Sequence, residues 1–283
     1  MKIGMNLLLW TAHLTAEHAP VLEKIKRAGF DGVEVPLFEG DAAHFAAMKK
    51  ALSAQGLGCT TVTVMDEKTN PVSPDKAVRD AALTRLKWVL DMSAAVGSNL
   101  VCGPVHSALG IFSGHGPTDD EKKRAVEVLR AAAEYAGTVN VRIAAEYLNR
   151  FESYFLTTAK DAAALVQTVN HPNFGMMYDT FHANVEEKDP PKAFAEVAKH
   201  VIHYHVSEND RGTPGKGHVP WAEHFRAVRQ ANYDGWLTIE AFGRALPELA
   251  AATRVWRDFF PSRDEVYVEG YKWIRKCWDE AAR

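Results

Sequence analysis

Eight short apolar segments rich in strand-forming residues recur along the chain, and this repeat is the feature that most limits its fold. Between them lie Ala-rich segments with apolar residues at i, i+3 and i+4, the spacing of an amphipathic helix. The chain has 283 residues, so one strand and helix together take roughly 35 of them. Eightfold alternation of this size predicts an α/β protein of the (β/α)8 TIM-barrel type. The predicted strands are 2–9, 31–35, 57–64, 98–102, 141–147, 173–179, 201–206 and 235–241.

A doubly wound α/β sheet is the alternative to a barrel. It would need a glycine-rich dinucleotide-binding turn after the first strand, and the sequence LLLWTAHLT at 7–15 contains no glycine. No linker-like stretch divides the chain, so we predict that residues 1–283 form a single TIM-barrel catalytic domain. Apolar residues at helical spacing in 263–283 predict an additional C-terminal helix, packed on the barrel or on a neighbouring subunit of a homodimer or homotetramer.

The composition argues against several classes of protein. A net charge of −3 without any run of five like charges gives little support to a nucleic-acid-binding face. The apolar run at 7–10 is too short to span a bilayer and lacks the features of a secretory signal, so we expect no membrane partner and a cytoplasmic location. Cys59, Cys102 and Cys277 have no CxxC spacing, and we interpret them as packed thiols.

Each of the last four predicted strands carries a potential metal ligand at or near its end. The residues are Glu146, Asp179, His205 and Glu240, separated by 33, 26 and 35 residues. Functional side chains of a TIM barrel collect at the carboxyl ends of its strands. A single glutamate there is more often a helix cap or an ion-pair partner, but unpaired buried carboxylates are costly, and one shared divalent cation would compensate all four residues. The pattern therefore predicts a metal site.

The chemistry of these four side chains limits the choice of metal. Three carboxylates and one imidazole, without a thiolate, favour manganese, magnesium or cobalt over a structural zinc ion. In HVIHYHV at 200–206, alternation places His203 and His205 on the same strand face. We assign His205 to the rim of the barrel and interpret His203 as a hydrogen-bonded histidine of the core.

At these residues the chain resembles the ketose 3-epimerases acting on D-tagatose, D-psicose or L-ribulose, which are sugar epimerases of the xylose isomerase-like barrels. The resemblance covers nearly the whole chain. It implies one divalent ion, most commonly Mn²⁺ with Co²⁺ or Mg²⁺ as alternatives, and sugar contacts from Glu152, His182 and Arg211. The motifs that carry it are SPDKAVRDAAL (73–83), EYLNRFESY (146–154), YDTFHANVEE (178–187), HYHVSENDRGTPGKGHVPW (203–221) and TIEAFGR (238–244).

Epimerisation of a ketose at C3 removes a proton next to the C2 carbonyl and returns one to the opposite face. This needs two opposed acid–base groups, and we predict Glu146 and Glu240 for these roles, with a metal ion stabilising the cis-enediolate. Glu152 lies in the loop after strand five, where it can orient sugar hydroxyls or fix a partner, and His182 lies in the loop after strand six, where it can hydrogen-bond the carbonyl end of the sugar. Arg211 lies in the loop RGTPGKG, from which it can reach the sugar or pair with Glu152. No paired glycines follow strands seven and eight, so a free sugar is favoured over a sugar phosphate.

Three other functions are compatible with parts of this pattern. An aldose–ketose isomerase or an inosose-type polyol dehydratase on the same scaffold could share all four metal ligands. A metal-dependent DNA-repair nuclease of similar fold should have more histidine ligands and a basic face. A non-catalytic sugar-binding barrel would not need two carboxylates facing one metal.

Overall fold

The computed structural model describes residues 1–282, in which eight parallel strands close into one barrel. The strands follow one another around the barrel in chain order, and β8 pairs with β1. This arrangement confirms the predicted TIM barrel. The strands are β1 (Lys2–Asn6), β2 (Gly32–Pro36), β3 (Gly58–Val62), β4 (Leu100–Gly103), β5 (Arg142–Glu146), β6 (Phe174–Asp179), β7 (Val201–Val206) and β8 (Trp236–Ile239).

Helices cover the outside of the barrel. The last of them confirms the predicted C-terminal helix and packs against the first and the eighth. No helix in residues 1–282 is both long and apolar enough to cross a membrane. The helices are α1 (Ala19–Ala28), α2 (Ala42–Ala54), α3 (Lys76–Val96), α4 (Asp119–Thr138), α5 (Ala159–Val169), α6 (Thr180–Glu186), α7 (Pro190–Val197), α8 (Trp221–Gln230), α9 (Pro247–Ala252) and α10 (Arg263–Glu280).

Several strands are shorter than the apolar segments that predict them. The first ends at Asn6 because the Asn6 side chain accepts a hydrogen bond from the backbone N–H of Leu8 at 2.9 Å, and Leu7–Leu9 forms a 3₁₀ turn. Such local side-chain bonds offer the backbone an alternative to the sheet. The eighth strand likewise ends at Ile239, so Glu240 lies directly after it.

Strand β7 shows how the barrel separates its two faces. Its outward-facing Tyr204 stacks on Tyr178 with ring centroids 5.5 Å apart and packs edge-on against Phe194 of α7. The alternate residues His203 and His205 point into the barrel, and both are fully buried. The two-residue period of the strand therefore gives the helices an aromatic face and the barrel interior a polar one.

The register of neighbouring strands aligns the residues at the carboxyl end of the barrel. Asp179 of β6 pairs with His205 of β7, which pairs in turn with Thr238 of β8. Glu240 follows Thr238 by two residues and so points to the same inner face. Side chains far apart in the sequence are in this way brought to one level of the barrel.

The amino end of the barrel is filled by the indole of Trp236 from β8. Glycines on three neighbouring strands, Gly4, Gly32 and Gly58, leave room for this ring. A Cβ atom on Gly32 would lie 2.6 Å from the Trp236 ring and 2.3 Å from the carbonyl oxygen of Gly58. The close approach of β2, β3 and the indole thus requires glycine at position 32.

We predict that Gly32→Ala lowers the free energy of unfolding by about 3 kcal/mol, because the Gly58 backbone cannot move aside without disturbing the sheet. Urea denaturation followed by circular dichroism measures the change. Gly116→Ala is the matched control: a Cβ there has no neighbour within 4 Å, so its effect should stay within about 0.5 kcal/mol. Equal denaturation midpoints for the two variants would contradict this account of the barrel interior.

Candidate metal centre and active site

The four residues predicted as metal ligands converge at the carboxyl end of the barrel. Glu146 and Asp179 are the last residues of β5 and β6, His205 lies in β7, and Glu240 follows β8. All four are buried, and one nitrogen or oxygen atom from each lies within 4.8 Å of one from every other. This spacing is compatible with shared coordination of one cation.

Asp179 is held in place by the start of α6. Its Oδ1 accepts a hydrogen bond from the backbone N–H of Phe181 at 2.6 Å, so Asp179 is also the N-cap of this helix. Its Oδ2 lies 3.0 Å from Nη1 of Arg211 and 3.6 Å from Nδ1 of His205. Burial alone would raise the pKa of Asp179, but the Arg211 charge and His205 hold it well below its usual value. The group is therefore a carboxylate.

The two ring nitrogens of His205 have different surroundings. Nε2 lies 2.7 Å from Oε1 of Glu34, at hydrogen-bonding distance, whereas Nδ1 has no hydrogen-bond partner. Nδ1 instead faces Oδ2 of Asp179 and Oε1 of Glu240, the latter at 3.4 Å. Buried polar atoms are normally satisfied, and a cation bound between an imidazole nitrogen and these carboxylates would satisfy this one. The donor set thus fits a divalent metal ion.

Glu146 and Glu240 reach the floor of a cavity of about 420 Å³ at the barrel mouth. Burial raises the pKa of Glu146, and the negative charges of Glu240 and Asp179 add to this, while His182 opposes it. Glu240 accepts a 3.1 Å hydrogen bond from the Asn6 side chain at Oε1. Two carboxyl groups, one at the end of β5 and one directly after β8, therefore line one cavity.

The three residues predicted to contact the sugar line the same cavity. Arg211 has a left-handed backbone conformation with φ of 64°. Its Nη1 contacts Asp179 and Oε2 of Glu240, the latter at 2.6 Å, and its guanidinium carbon lies 3.8 Å from the centre of the Phe181 ring. Its ion pairs in residues 1–282 are with Asp179 and Glu240. Of the two roles considered for Arg211, pairing with Glu152 is therefore not observed, and Glu152 accepts instead from the Asn149 side chain at 2.8 Å.

His182 lies between the two glutamates and the loop that carries Arg211. Its Nδ1 accepts a 3.0 Å hydrogen bond from the backbone N–H of Asn149, and its Nε2 lies 3.0 Å from Nη2 of Arg211. Nε2 faces Oε1 of Glu146 at 3.5 Å. The His182 ring therefore contacts both Arg211 and Glu146 at the wall of the cavity.

A second group of polar side chains lies beneath this site, and the sequence analysis missed most of it. At its centre is Glu34 of β2, which is fully buried and hydrogen-bonded to His203, His205, Thr60, Asn6 and Cys102. His203 is thus a hydrogen-bonded core histidine, as expected. The signal for Glu34 was present in DGVEV, where a carboxylate interrupts an apolar strand as His203 and His205 do in β7.

A family model described as the xylose isomerase-like TIM barrel matches residues 22–277 of the chain. Among curated proteins, the probable ketose 3-epimerase of Synechocystis sp. is 30% identical over 278 residues, which cover 98% of this chain and 97% of that protein. The D-psicose 3-epimerase of Agrobacterium fabrum is 31% identical over 268 residues and 93% of each chain. These relatives are named as epimerases, which are isomerases.

Solved structures of ketose 3-epimerases are also similar to this chain. A structure of L-ribulose 3-epimerase superposes with a TM-score of 0.95 at 26% identity, covering 100% of this chain and 96% of that one. The D-allulose 3-epimerase of Methylomonas sp. in complex with D-allulose has a TM-score of 0.91 at 27% identity, covering 98% of this chain and 96% of that one.

Proposed function

The chain belongs to the ketose 3-epimerases of the xylose isomerase-like TIM barrel family, and we propose that it epimerises free ketoses at C3 with one divalent metal ion and two opposed glutamates. The observation that carries the proposal is the convergence of Glu146 and Glu240 with Asp179 and His205 at the floor of one cavity. Aldose–ketose isomerisation and inosose-type dehydration remain the alternatives on this scaffold, and analysis of the product distinguishes them.

We assign the metal to Glu146, Asp179, His205 and Glu240, with Mn²⁺ first and Co²⁺ or Mg²⁺ as alternatives. The unpartnered Nδ1 of His205 between two carboxylates supports this assignment. When bound, a divalent ion supplies Lewis-acid polarisation of a ketose carbonyl and compensates the negative charge that develops in the reaction. Arg211 forms ion pairs with Asp179 and Glu240 and so neutralises part of their negative charge.

The proton transfers are assigned to Glu146 and Glu240. One glutamate removes the proton from C3, and the electron pair of the C–H bond is delocalised toward O2 to give a cis-enediolate. The other, as the acid, returns a proton to the opposite face of C3, and the enediolate collapses to the C2 carbonyl of the epimer. The two residues exchange roles for the reverse reaction.

Sugar binding is assigned to Glu152, His182 and Arg211. The Arg211 guanidinium supplies donors for sugar oxygens, the His182 imidazole supplies a further polar contact, and Glu152 supplies an acceptor for sugar hydroxyls. All three line the cavity that also contains the two glutamates. We therefore propose substrates of the D-psicose/D-fructose, D-tagatose or L-ribulose type.

The domain boundaries, the cellular location and the oligomeric state of the enzyme are further proposals. The single barrel of residues 1–282 supports one catalytic domain over the whole chain. The cytoplasmic location and the homodimer or homotetramer stay predictions from the sequence.

We predict that Glu146→Gln and Glu240→Gln, each assayed with saturating Mn²⁺, lose at least about 10³-fold in kcat for C3 epimerisation, because an amide cannot exchange the proton. Proton NMR in D₂O measures both epimer formation and deuterium uptake at C3. Each variant should lose uptake from a different C3 epimer, since the two carboxyl groups face opposite sides of the sugar. Glu127→Gln on the exposed surface of α4 is the matched control and should keep wild-type turnover.

Wild-type turnover in either active-site variant would remove that residue from the proton transfer. Loss of uptake from the same epimer in both variants would contradict the two-base assignment. An aldose product, or loss of water from the sugar, would favour the alternative reactions.

Metal removal provides a separate prediction. Chelator-treated protein should lose epimerase activity and melt at a lower temperature, because binding at 100 times Kd contributes about 2.7 kcal/mol to stability. Added Mn²⁺ should restore both properties, and Asp179→Asn should weaken the restoration. A panel of ketopentoses and ketohexoses assayed with Mn²⁺, Co²⁺ and Mg²⁺ identifies the preferred combination of sugar and metal ion. Full activity in excess chelator would contradict the metal assignment.

A further inference from the structure

Glu34 is a buried anion surrounded by hydrogen-bonding groups. Its Oε1 contacts Asn6 Nδ2 at 3.0 Å and His205 Nε2 at 2.7 Å. Its Oε2 contacts Thr60 Oγ1 at 2.8 Å, His203 Nε2 at 2.7 Å and the Cys102 thiol at 3.2 Å. Two carboxylate oxygens offer about four acceptor positions, so five donors saturate this group.

Two of these donors connect Glu34 with residues that we assign to the metal. His205 points one ring nitrogen at Glu34 and the other, the unpartnered Nδ1, at Asp179 and Glu240. The amide of Asn6 donates to Oε1 of Glu34 and also, at 3.1 Å, to Oε1 of Glu240. One carboxylate therefore contacts His205 directly and Glu240 through a single side chain.

Glu34 could act as a metal ligand or as a hydrogen-bond partner of metal ligands, and its saturated hydrogen bonds decide between these two roles. Glu34, Cys102, His203 and His205 have donor atoms as close together as a metal site requires. However, the two Glu34 oxygens already accept from five donor groups, which leaves no lone pair for a cation. The Cys102 thiol is itself one of the groups that contact Glu34, with Sγ 3.2 Å from Oε2.

We propose that Glu34 is a positioning residue for the metal centre. It accepts the Nε2 proton of His205 and so fixes the tautomer in which Nδ1 carries the lone pair that faces the cation. Through Asn6 it also sets the orientation of the Glu240 carboxylate. The proposal rests on the proposed metal centre but not on the epimerase reaction. Hydrogen-bond partners of this kind typically change metal affinity by about 10- to 100-fold.

The test is titration calorimetry of metal-free protein with Mn²⁺ alone. Glu34→Gln keeps the volume of the side chain but turns one acceptor oxygen into an NH₂ donor, which opposes the Nε2–H of one of the two histidines. We expect a Kd for Mn²⁺ that is about 10- to 100-fold weaker than in the wild type. If Glu34 only stabilised the fold, the substitution would lower the melting temperature of the metal-free protein but leave the Kd for Mn²⁺ unchanged.

Thr61→Val is the matched control. Thr61 is buried in β3 next to Thr60, but its hydroxyl points to the helix side, where it contacts Ser93 Oγ at 2.8 Å and the Leu100 carbonyl at 3.0 Å. The variant therefore loses buried hydrogen bonds without contacting Glu34, and its Kd for Mn²⁺ should stay at the wild-type value. Should Glu34→Gln fail to fold, Glu34→Asp keeps the carboxylate but withdraws it by one methylene group from His205 and Asn6, and it should weaken Mn²⁺ binding in the same direction, whereas Thr61→Val should not.

Three results would overturn the inference. The first is equal Mn²⁺ affinity in wild type and Glu34→Gln or, if that variant does not fold, in Glu34→Asp and Thr61→Val. The second is equal weakening in the Glu34 and Thr61 variants, which would indicate general destabilisation. The third is binding of two Mn²⁺ ions per wild-type chain with one lost in Glu34→Gln, which would make Glu34 a ligand. A wild-type chain that binds no Mn²⁺ would instead overturn the proposed metal centre itself.

Discussion

Four carboxylates lie buried within the carboxyl half of the barrel, and compensation of their negative charge is the constraint on which the site depends. Glu34, Glu146, Asp179 and Glu240 are each at most 5% exposed. Buried charges are tolerated only when they are paired and hydrogen-bonded. Arg211 compensates Asp179 and Glu240, and the imidazoles of β7 contact Glu34. Glu146 has only the partial compensation of His182, and its raised pKa is the consequence.

This arrangement divides the barrel interior into layers. Trp236 fills the amino end, where glycines make room for it. Glu34 and its hydrogen-bond donors form the next layer, and the proposed metal ligands lie above them at the mouth. Each layer supports the one nearer the solvent: the side chain of Asn6, for example, joins Glu34 to Glu240. The rigid strands thus hold acidic groups in place that would otherwise repel one another.

The sequence predicts the barrel and the four residues at its rim because both depend on local patterns. Eight strand–helix units determine the closure, and strand ends at regular intervals determine which side chains meet there. The ion-pair partners of Arg211 could not be predicted from such local patterns. Its left-handed conformation follows from a loop that is folded around the buried Glu208, which accepts hydrogen bonds from the backbone of Gly215 and Val219. Such long-range contacts of an irregular segment leave no periodic signal.

Glu34 was missed for a related reason. Its position in an apolar strand signals an inward-facing polar group, but its partners come from strands β1, β3, β4 and β7, and only closure of the barrel brings them together. The Asn6 amide is an extreme case, since it contacts Glu34 and Glu240, which are 28 and 234 positions away in the sequence. Sequence patterns therefore indicate which residues are buried and polar, whereas the hydrogen bonds among them depend on the strand register.

The proposed metal centre places one cation among four side chains from consecutive units of the barrel. A crystal structure of Mn²⁺-loaded protein, with diffraction recorded at the manganese absorption edge, would locate this ion. We expect one anomalous peak per chain within coordination distance of Glu146, Asp179, Glu240 and Nδ1 of His205. A peak centred instead among Glu34, Cys102 and His203, or no peak inside the barrel, would contradict it.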